Sequence, residues 1–336
     1  HSAKAGLVVR TTLRGSVPTV YVPHAWPHLA LPAAAQPAAI AWERLASRWT
    51  AVVVAVGDGE AEEGRRRSID APIEVIRNPV PPGWSPRTAA DRSRARAELG
   101  LPHGPIAVCV GRFSRQKGQD VLVTAWPQVR RSVPDATLVL VGDGPDLDQV
   151  RANAGPGIQF PGPTDDPRPY LAAADIAILP SRWEGLSLSM LEAMASARSL
   201  VVTDVAGSEV VTAADSGAVV PVDDSPALAE AIALRLGGRV DIEAEGRRGA
   251  QFVAEFHDFE TEMVRLAREH DPAFFEKVGD APLGDEDIVE AQWARSAAGT
   301  ATRGGAVVQL AVASMQEIAA SSRKINDIIG LIDSIA

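Results

Sequence analysis

The chain predicts an α/β fold of two Rossmann-like domains followed by a helical extension, and three observations carry that expectation. Short apolar runs rich in Val, Ile and Leu alternate with helix-length stretches as far as Val222, and βα alternation with short connections builds a doubly wound parallel sheet. The alternation breaks once, at the proline-rich Arg77-Asn78-Pro79-Val80-Pro81-Pro82-Gly83, where neither helix nor strand is sustained. Past Gly304-Gly305 the apolar spacing becomes a seven-residue repeat, the period of a coiled-coil seam.

In chain order, Ala3 to Leu13 reads as a helix, Pro18 to Pro23 as a strand, Ile40 to Trp49 as a helix and Ala51 to Val56 as a valine-dominated strand. Glu60 to Arg67 is a charged helix and Ile73 to Ile76 a short strand, so residues 1–80 form a first domain and 81–104 the linker. Residues 105–250 form the second, with strands at Pro105 to Val110, Thr137 to Val141, Gly157 to Phe160, Asp175 to Leu179, Leu200 to Thr203 and Ala218 to Val222. Phe252 to Arg268 is a closing helix within 251–270, and 271–303 is an acidic, irregular linker. Residues 304–336 form an amphipathic heptad helix, in which Val308, Met315, Ser322, Ile329 and Ala336 recur every seven, as do Ala311, Ile318, Ile325 and Ile332.

Composition narrows the function. At 336 residues and 46% hydrophobic content the chain can hold two globular cores. A formal charge of −10 argues against nucleic acid as a partner, because binding a phosphate backbone needs a basic face. Cys109 is the single cysteine and lies mid-strand, a core thiol rather than half of a disulfide. No apolar run approaches the ~20 residues of a membrane span, and the expected location is cytoplasmic. Arg65-Arg66-Arg67 leaves peripheral contact with the inner membrane face open. The start at His1, neither methionine nor signal peptide, leads us to expect a front-truncated chain.

The candidate site lies at two strand ends. The strand Ala174 to Leu179 runs into Pro180-Ser181-Arg182-Trp183-Glu184-Gly185, followed by a helix that carries Glu192. On an open parallel sheet ligands bind beyond the carboxyl ends of the strands. There Glu184 can accept hydrogen bonds from sugar hydroxyls, while the amides of Gly185, Leu186 and Ser187 open a helix that favours phosphate. On the bland alternative, Glu184 only complements the helix dipole and Glu192 is a solvated acid. Upstream, Gly111-Arg112-Phe113-Ser114-Arg115-Gln116-Lys117-Gly118 follows another buried strand, and Arg112 and Lys117 could neutralise a diphosphate.

Taken together and in this order, GRFSRQKG, LVLVGDGP and PSRWEGLSLSMLEAMAS resemble the donor-binding domain of glycosyltransferase family 4, over about residues 1–270. The resemblance implies a GT-B-like fold with a truncated first domain and metal-independent, retaining transfer of a sugar from a nucleotide-sugar donor to a hydroxyl acceptor, with no cofactor. It assigns Arg112 and Lys117 to the diphosphate, with Gly111 beside them, Glu184 to the sugar and Glu192 to the ribose. His1-Ser2-Ala3-Lys4-Ala5-Gly6 and Val22-Pro23-His24-Ala25-Trp26 resemble first-domain segments, and His24 matches the histidine that faces the transferred sugar. After Glu192-Ala193-Met194-Ala195 the family usually has glycine and then proline. This chain has Ala197 and Ser199, so the next loop is expected to shift, because alanine does not readily take a positive φ.

Other chemistry is set aside. Asp146-Leu147-Asp148 follows Gly144-Pro145, where acids favour a helix start over metal ligation. Pro27 between His24 and His28 breaks a helical metal pair. The run VVQLAVASMQEIAASSRKINDIIGLIDSIA resembles the signalling helix of methyl-accepting chemotaxis proteins. It leaves open a signalling or fusion protein that self-associates through this helix.

Overall fold

Two parallel sheets organise the chain, whose computed structural model describes residues 3–80 and 83–257. His1, most of the expected closing helix, the acidic linker 271–303 and the heptad helix 304–336 lie outside the described residues. In chain order the first part contains α1 (Ala3–Leu13), β1 (Val20–Tyr21), α2 (Gln36–Ser47), β2 (Val52–Ala55), α3 (Asp58–Arg66) and β3 (Ile73–Val75). The strands pair in parallel in the order β1-β2-β3. Tyr21, Trp26, Val53, Ile69 and Ala71 form its core. Beside it lies a buried ion pair, Arg10 Nη1 to Glu43 Oε2 at 2.8 Å, with the guanidinium 3.9 Å from the centre of the Tyr21 ring. Two guanidinium N–H groups bonded to the two oxygens of one carboxylate leave no buried charge in this pair uncompensated.

The second part contains α4 (Ala89–Glu98), β4 (Ile106–Val110), α5 (Gln119–Ser132), β5 (Thr137–Val141), α6 (Leu147–Ala152), β6 (Ile158–Gly162), α7 (Arg168–Ala173) and β7 (Ile176–Leu179). It continues with α8 (Leu188–Ala195), β8 (Ser199–Thr203), α9 (Glu209–Ala213), β9 (Gly217–Val220), α10 (Ser225–Leu236) and α11 (Ile242–Phe256). Its six strands lie parallel in the order β6-β5-β4-β7-β8-β9. Both faces are covered, as an all-parallel sheet requires. Along β4, Ile106 and Val108 enter one hydrophobic cluster while Ala107 and Cys109 enter the other, the period-two alternation of a strand between two packed layers. Burial pushes the Cys109 thiol up to about 12.

Element boundaries depart from the sequence expectation where caps decide them. α2 starts at Gln36 rather than Ile40, with a proline in its first turn. α11 starts at Ile242 rather than Phe252, because the Asp241 carboxylate caps it by accepting the Ala244 amide. The expected loop shift after α8 is corrected: Ala197 takes φ 55°, and β8 keeps a continuous register with β7 from Ser199 to Val202. A Cβ on Gly246 would lie 2.1 Å from the Ala197 carbonyl oxygen, so α11 approaches this turn at backbone distance. At its far end, the His257 carbonyl accepts the Val80 amide at 2.8 Å, which joins α11 to the chain leaving β3. No described helix is long and apolar enough to cross a membrane.

Candidate active site at the strand reversal

β4 has β5 on one side and β7 on the other, so the connections that leave β4 and β7 run in opposite directions and a crevice opens beyond their carboxyl ends. The loops after β4 and β7 meet there. Gly118, which begins α5, has φ 66°, and a Cβ on it would fall 2.0 Å from the Pro180 carbonyl oxygen. Only glycine allows both that backbone and that approach. The Arg182 amide donates to the Gln116 carbonyl at 2.7 Å, and Gln116 Nε2 donates to the Trp183 carbonyl at 3.0 Å.

This framework brings Lys117 to Glu184, Nζ to Oε1 at 2.6 Å. The Ser181 hydroxyl donates to the same oxygen at 2.7 Å, and Gln116 Nε2 lies 3.4 Å from Oε2. Glu184 therefore retains acceptor capacity on Oε2, and the ammonium retains two of its three donors. Lys117 folds back over Gly111, where a Cβ would stand 3.8 Å from its Cδ. Arg112 is exposed, and its carbonyl is held by Gln119 Nε2 at 3.0 Å.

Gly185 is buried against the first part of the chain: a Cβ on it would lie 3.0 Å from Glu60 Oε1 and 3.1 Å from the Ala25 amide nitrogen. The turn that bears His24 thus abuts the loop that bears Glu184. His24 and Ala25 have φ 52° and 93°, and burial lowers the His24 imidazole to about 4, leaving it neutral at neutral pH. Leu186 packs on Gly57, and its carbonyl accepts the Asn78 side-chain amide at 2.8 Å. Ser187 precedes the first turn of α8, so that helix opens one residue later than the three amides expected to open it. Its buried hydroxyl has no hydrogen-bond partner among the described residues. Glu192 is half-buried on α8, and burial together with the negative Asp166 raises its carboxyl to about 7, in contrast to a solvated surface acid. Among the described residues, no group of three His, Cys, Asp or Glu side chains is placed to hold a metal ion.

Residues 104–236 match the family model described as Glycosyl transferases group 1, and residues 1–84 match that described as Glycosyltransferase Family 4. Two separate stretches of the chain thus match glycosyltransferase family models. A GDP-mannose-dependent alpha-(1-6)-phosphatidylinositol monomannoside mannosyltransferase of Mycobacterium tuberculosis is 33% identical over 207 residues, 56% of this chain and 54% of its own length. An alpha-maltose-1-phosphate synthase of Mycolicibacterium smegmatis is 34% identical over 200 residues, 54% of this chain and 51% of that one. The chain spans about half the length of the curated relatives it matches. Among solved structures, sucrose-phosphate synthase from Thermosynechococcus elongatus has a TM-score of 0.68 at 25% identity, covering 80% of this chain and 71% of that one. Anabaena HepE in complex with UDP and glucose has a TM-score of 0.68 at 21% identity, covering 79% and 75%. The fold is that of GT-B glycosyltransferases.

Within the segment that matches the group 1 model, sequence reasoning overlooked Ser181 and Gln116, although both stand inside the motifs that flagged the site. Their uncharged side chains signal nothing until the β4 and β7 loops are seen to touch. Glu60 was also passed over, because in a run with Glu62 and Glu63 it reads as one more solvated acid; the structure buries it completely.

Proposed function

We propose that this chain transfers a hexose from a nucleoside-diphosphate sugar to an acceptor hydroxyl on a glycan, lipid or small molecule, with retention at the anomeric carbon. The observation that carries this reading is the Lys117–Glu184 pair at the strand reversal, 2.6 Å apart. It presents a cation for the diphosphate and a carboxylate for the sugar within one side chain's reach. The GDP-mannose in one relative's name and the UDP in the HepE complex support the donor class.

In this mechanism the acceptor oxygen closes on the anomeric carbon from the leaving-group face as the bond from that carbon to the diphosphate oxygen breaks. The acceptor proton passes to the departing phosphate oxygen. The negative charge that develops there is stabilised by Arg112 and Lys117, and one preorganised cation or donor of this kind contributes on the order of 3 kcal/mol. Glu184 Oε2 accepts from sugar hydroxyls, Glu192 from the ribose, and neutral His24 faces the transferred sugar. Gly111 lets Lys117 lie close, and Gly185, Leu186 and Ser187 direct amides toward phosphate. The reading assigns charge neutralisation to side chains rather than to a metal ion, so turnover is expected to survive EDTA. A cytoplasmic setting belongs to the same reading. Lipid contact through Arg65, Arg66 and Arg67 has less support, since Arg66 and Arg67 both pair with Glu63 at 2.8 Å.

Isothermal titration of the chain with UDP and with GDP tests the proposal. Saturable binding of one of them is expected, and heat of dilution alone from both would remove it.

A further inference from the structure

We propose that Glu60 is a positioning residue that holds the His24–Ala25 turn against the loop bearing Glu184 and Gly185. The inference rests on the reading above in which His24 faces the donor sugar. Glu60 is fully buried, and among the described residues no cation pairs with it. Its carboxyl is raised by desolvation, an effect opposed by the amides of Val56 and Ala25. Oε2 accepts the Val56 amide at 2.8 Å, a bond close to that of a local cap, since Glu60 is the third residue of α3. Oε1 does something no local cap does: it reaches 35 residues away in sequence to accept the Ala25 amide.

The turn so held needs an external hold. Two successive non-glycine residues at positive φ, His24 and Ala25, cost of order 1–3 kcal/mol each and persist only where their surroundings impose them. Three contacts around Glu60 impose them: the carboxylate on the Ala25 amide, the Glu60 carbonyl accepting the Trp26 indole N–H at 2.7 Å, and Gly185 seated against both. Burying a carboxylate without a cation is a poor way to stabilise a fold. It is a direct way to fix an amide beside a functional loop.

The test is Glu60→Gln, which keeps the shape and replaces one acceptor with an N–H that opposes an amide. Followed by NMR, the buried His24 imidazole of the parent is expected to titrate near 4, and in the variant to rise by at least about one unit toward the ordinary range. Adding Ala25→Gly, which tolerates φ 93° unaided, is expected to lower it again. Affinity for whichever of UDP and GDP binds should change less than about twofold, while release of free sugar from the corresponding donor falls about a hundredfold at unchanged KM. An unmoved His24 titration in a folded variant, or unchanged sugar release, overturns the proposal. Should Glu60→Gln not fold, hydrogen exchange in the parent decides: an Ala25 amide as protected as that of Val56 supports the clamp, and a freely exchanging one overturns it. Failure of both nucleotides to bind would remove the donor-site reading while leaving the His24 titration and exchange results to decide the role of Glu60.

Discussion

Lys117 and Glu184, 67 positions apart in sequence, place Nζ 2.6 Å from Oε1, and the Ser181 hydroxyl completes that oxygen's coordination at 2.7 Å. The pair is one-tenth to one-quarter exposed on its two sides, so it is partly shielded from the screening that weakens surface pairs.

Removing the cation should therefore be felt more in turnover than in folding. On the proposed reading, Lys117→Ala is expected to lower kcat roughly a hundredfold. Steady-state kinetics against a nucleotide-sugar donor checks this, and near-parental turnover would remove Lys117 from the diphosphate site.

Gly118→Ala attacks the framework instead. The new Cβ would need φ 66° and would stand 2.0 Å from Pro180 O, so the β4 and β7 loops must separate. Chemical denaturation should show a loss of roughly 3 kcal/mol or more, and a loss under about 1 kcal/mol would mean that the loops yield freely.

Glu192→Gln should exchange binding for stability in a pH-dependent way. A carboxyl raised from 4.5 to about 7 in the folded chain binds its proton more tightly there than when unfolded. The stability this contributes is complete below about pH 4.5 and is lost as pH rises through about 7. The glutamine variant has no charge to bury, so at pH 8 it should be more stable than the parent by on the order of 2 to 3 kcal/mol, with the gap closing at acid pH. Its affinity for the nucleotide should fall, because only one amide oxygen remains to accept the ribose hydroxyls. Parallel melting curves at pH 5 and 8 check the sign.

Ala197→Gly should stabilise. Alanine at φ 55° sits where glycine has no Cβ conflict, and the relief outweighs the added freedom of the unfolded chain by up to about 1 kcal/mol. Differential scanning calorimetry would show a higher Tm; a lower one would indicate that the methyl group contributes packing.

The parallel second sheet was legible in sequence because both its faces are buried. Runs such as Ile106 to Val110 and Leu138 to Val141 are apolar at every position, which a solvated edge strand does not show. Helix starts were less legible where a capping acid sets them well ahead of the apolar run, as Asp241, directly before Ile242, does for α11. Of the site, the charged residues in contiguous motifs were visible, and the structure joins Lys117 to Glu184. The contribution of Glu60 was not, because nothing local distinguishes an acid aimed at the Ala25 amide from its neighbours, which face solvent or arginine. The positive φ of His24 and Ala25 was equally hidden, since neither residue type announces it.

The walled-in thiol of Cys109 has a practical consequence. With its pKa near 12 and its side chain inside the sheet, the sole cysteine of the chain is unreactive toward ordinary alkylating reagents at neutral pH. The natural protein is therefore a silent background for thiol chemistry. A cysteine introduced at exposed Arg115, in the same loop but outside the residues assigned to the donor, could take a fluorophore or spin label without prior removal of the native one, giving a reporter at the crevice mouth that registers nucleotide arrival in real time.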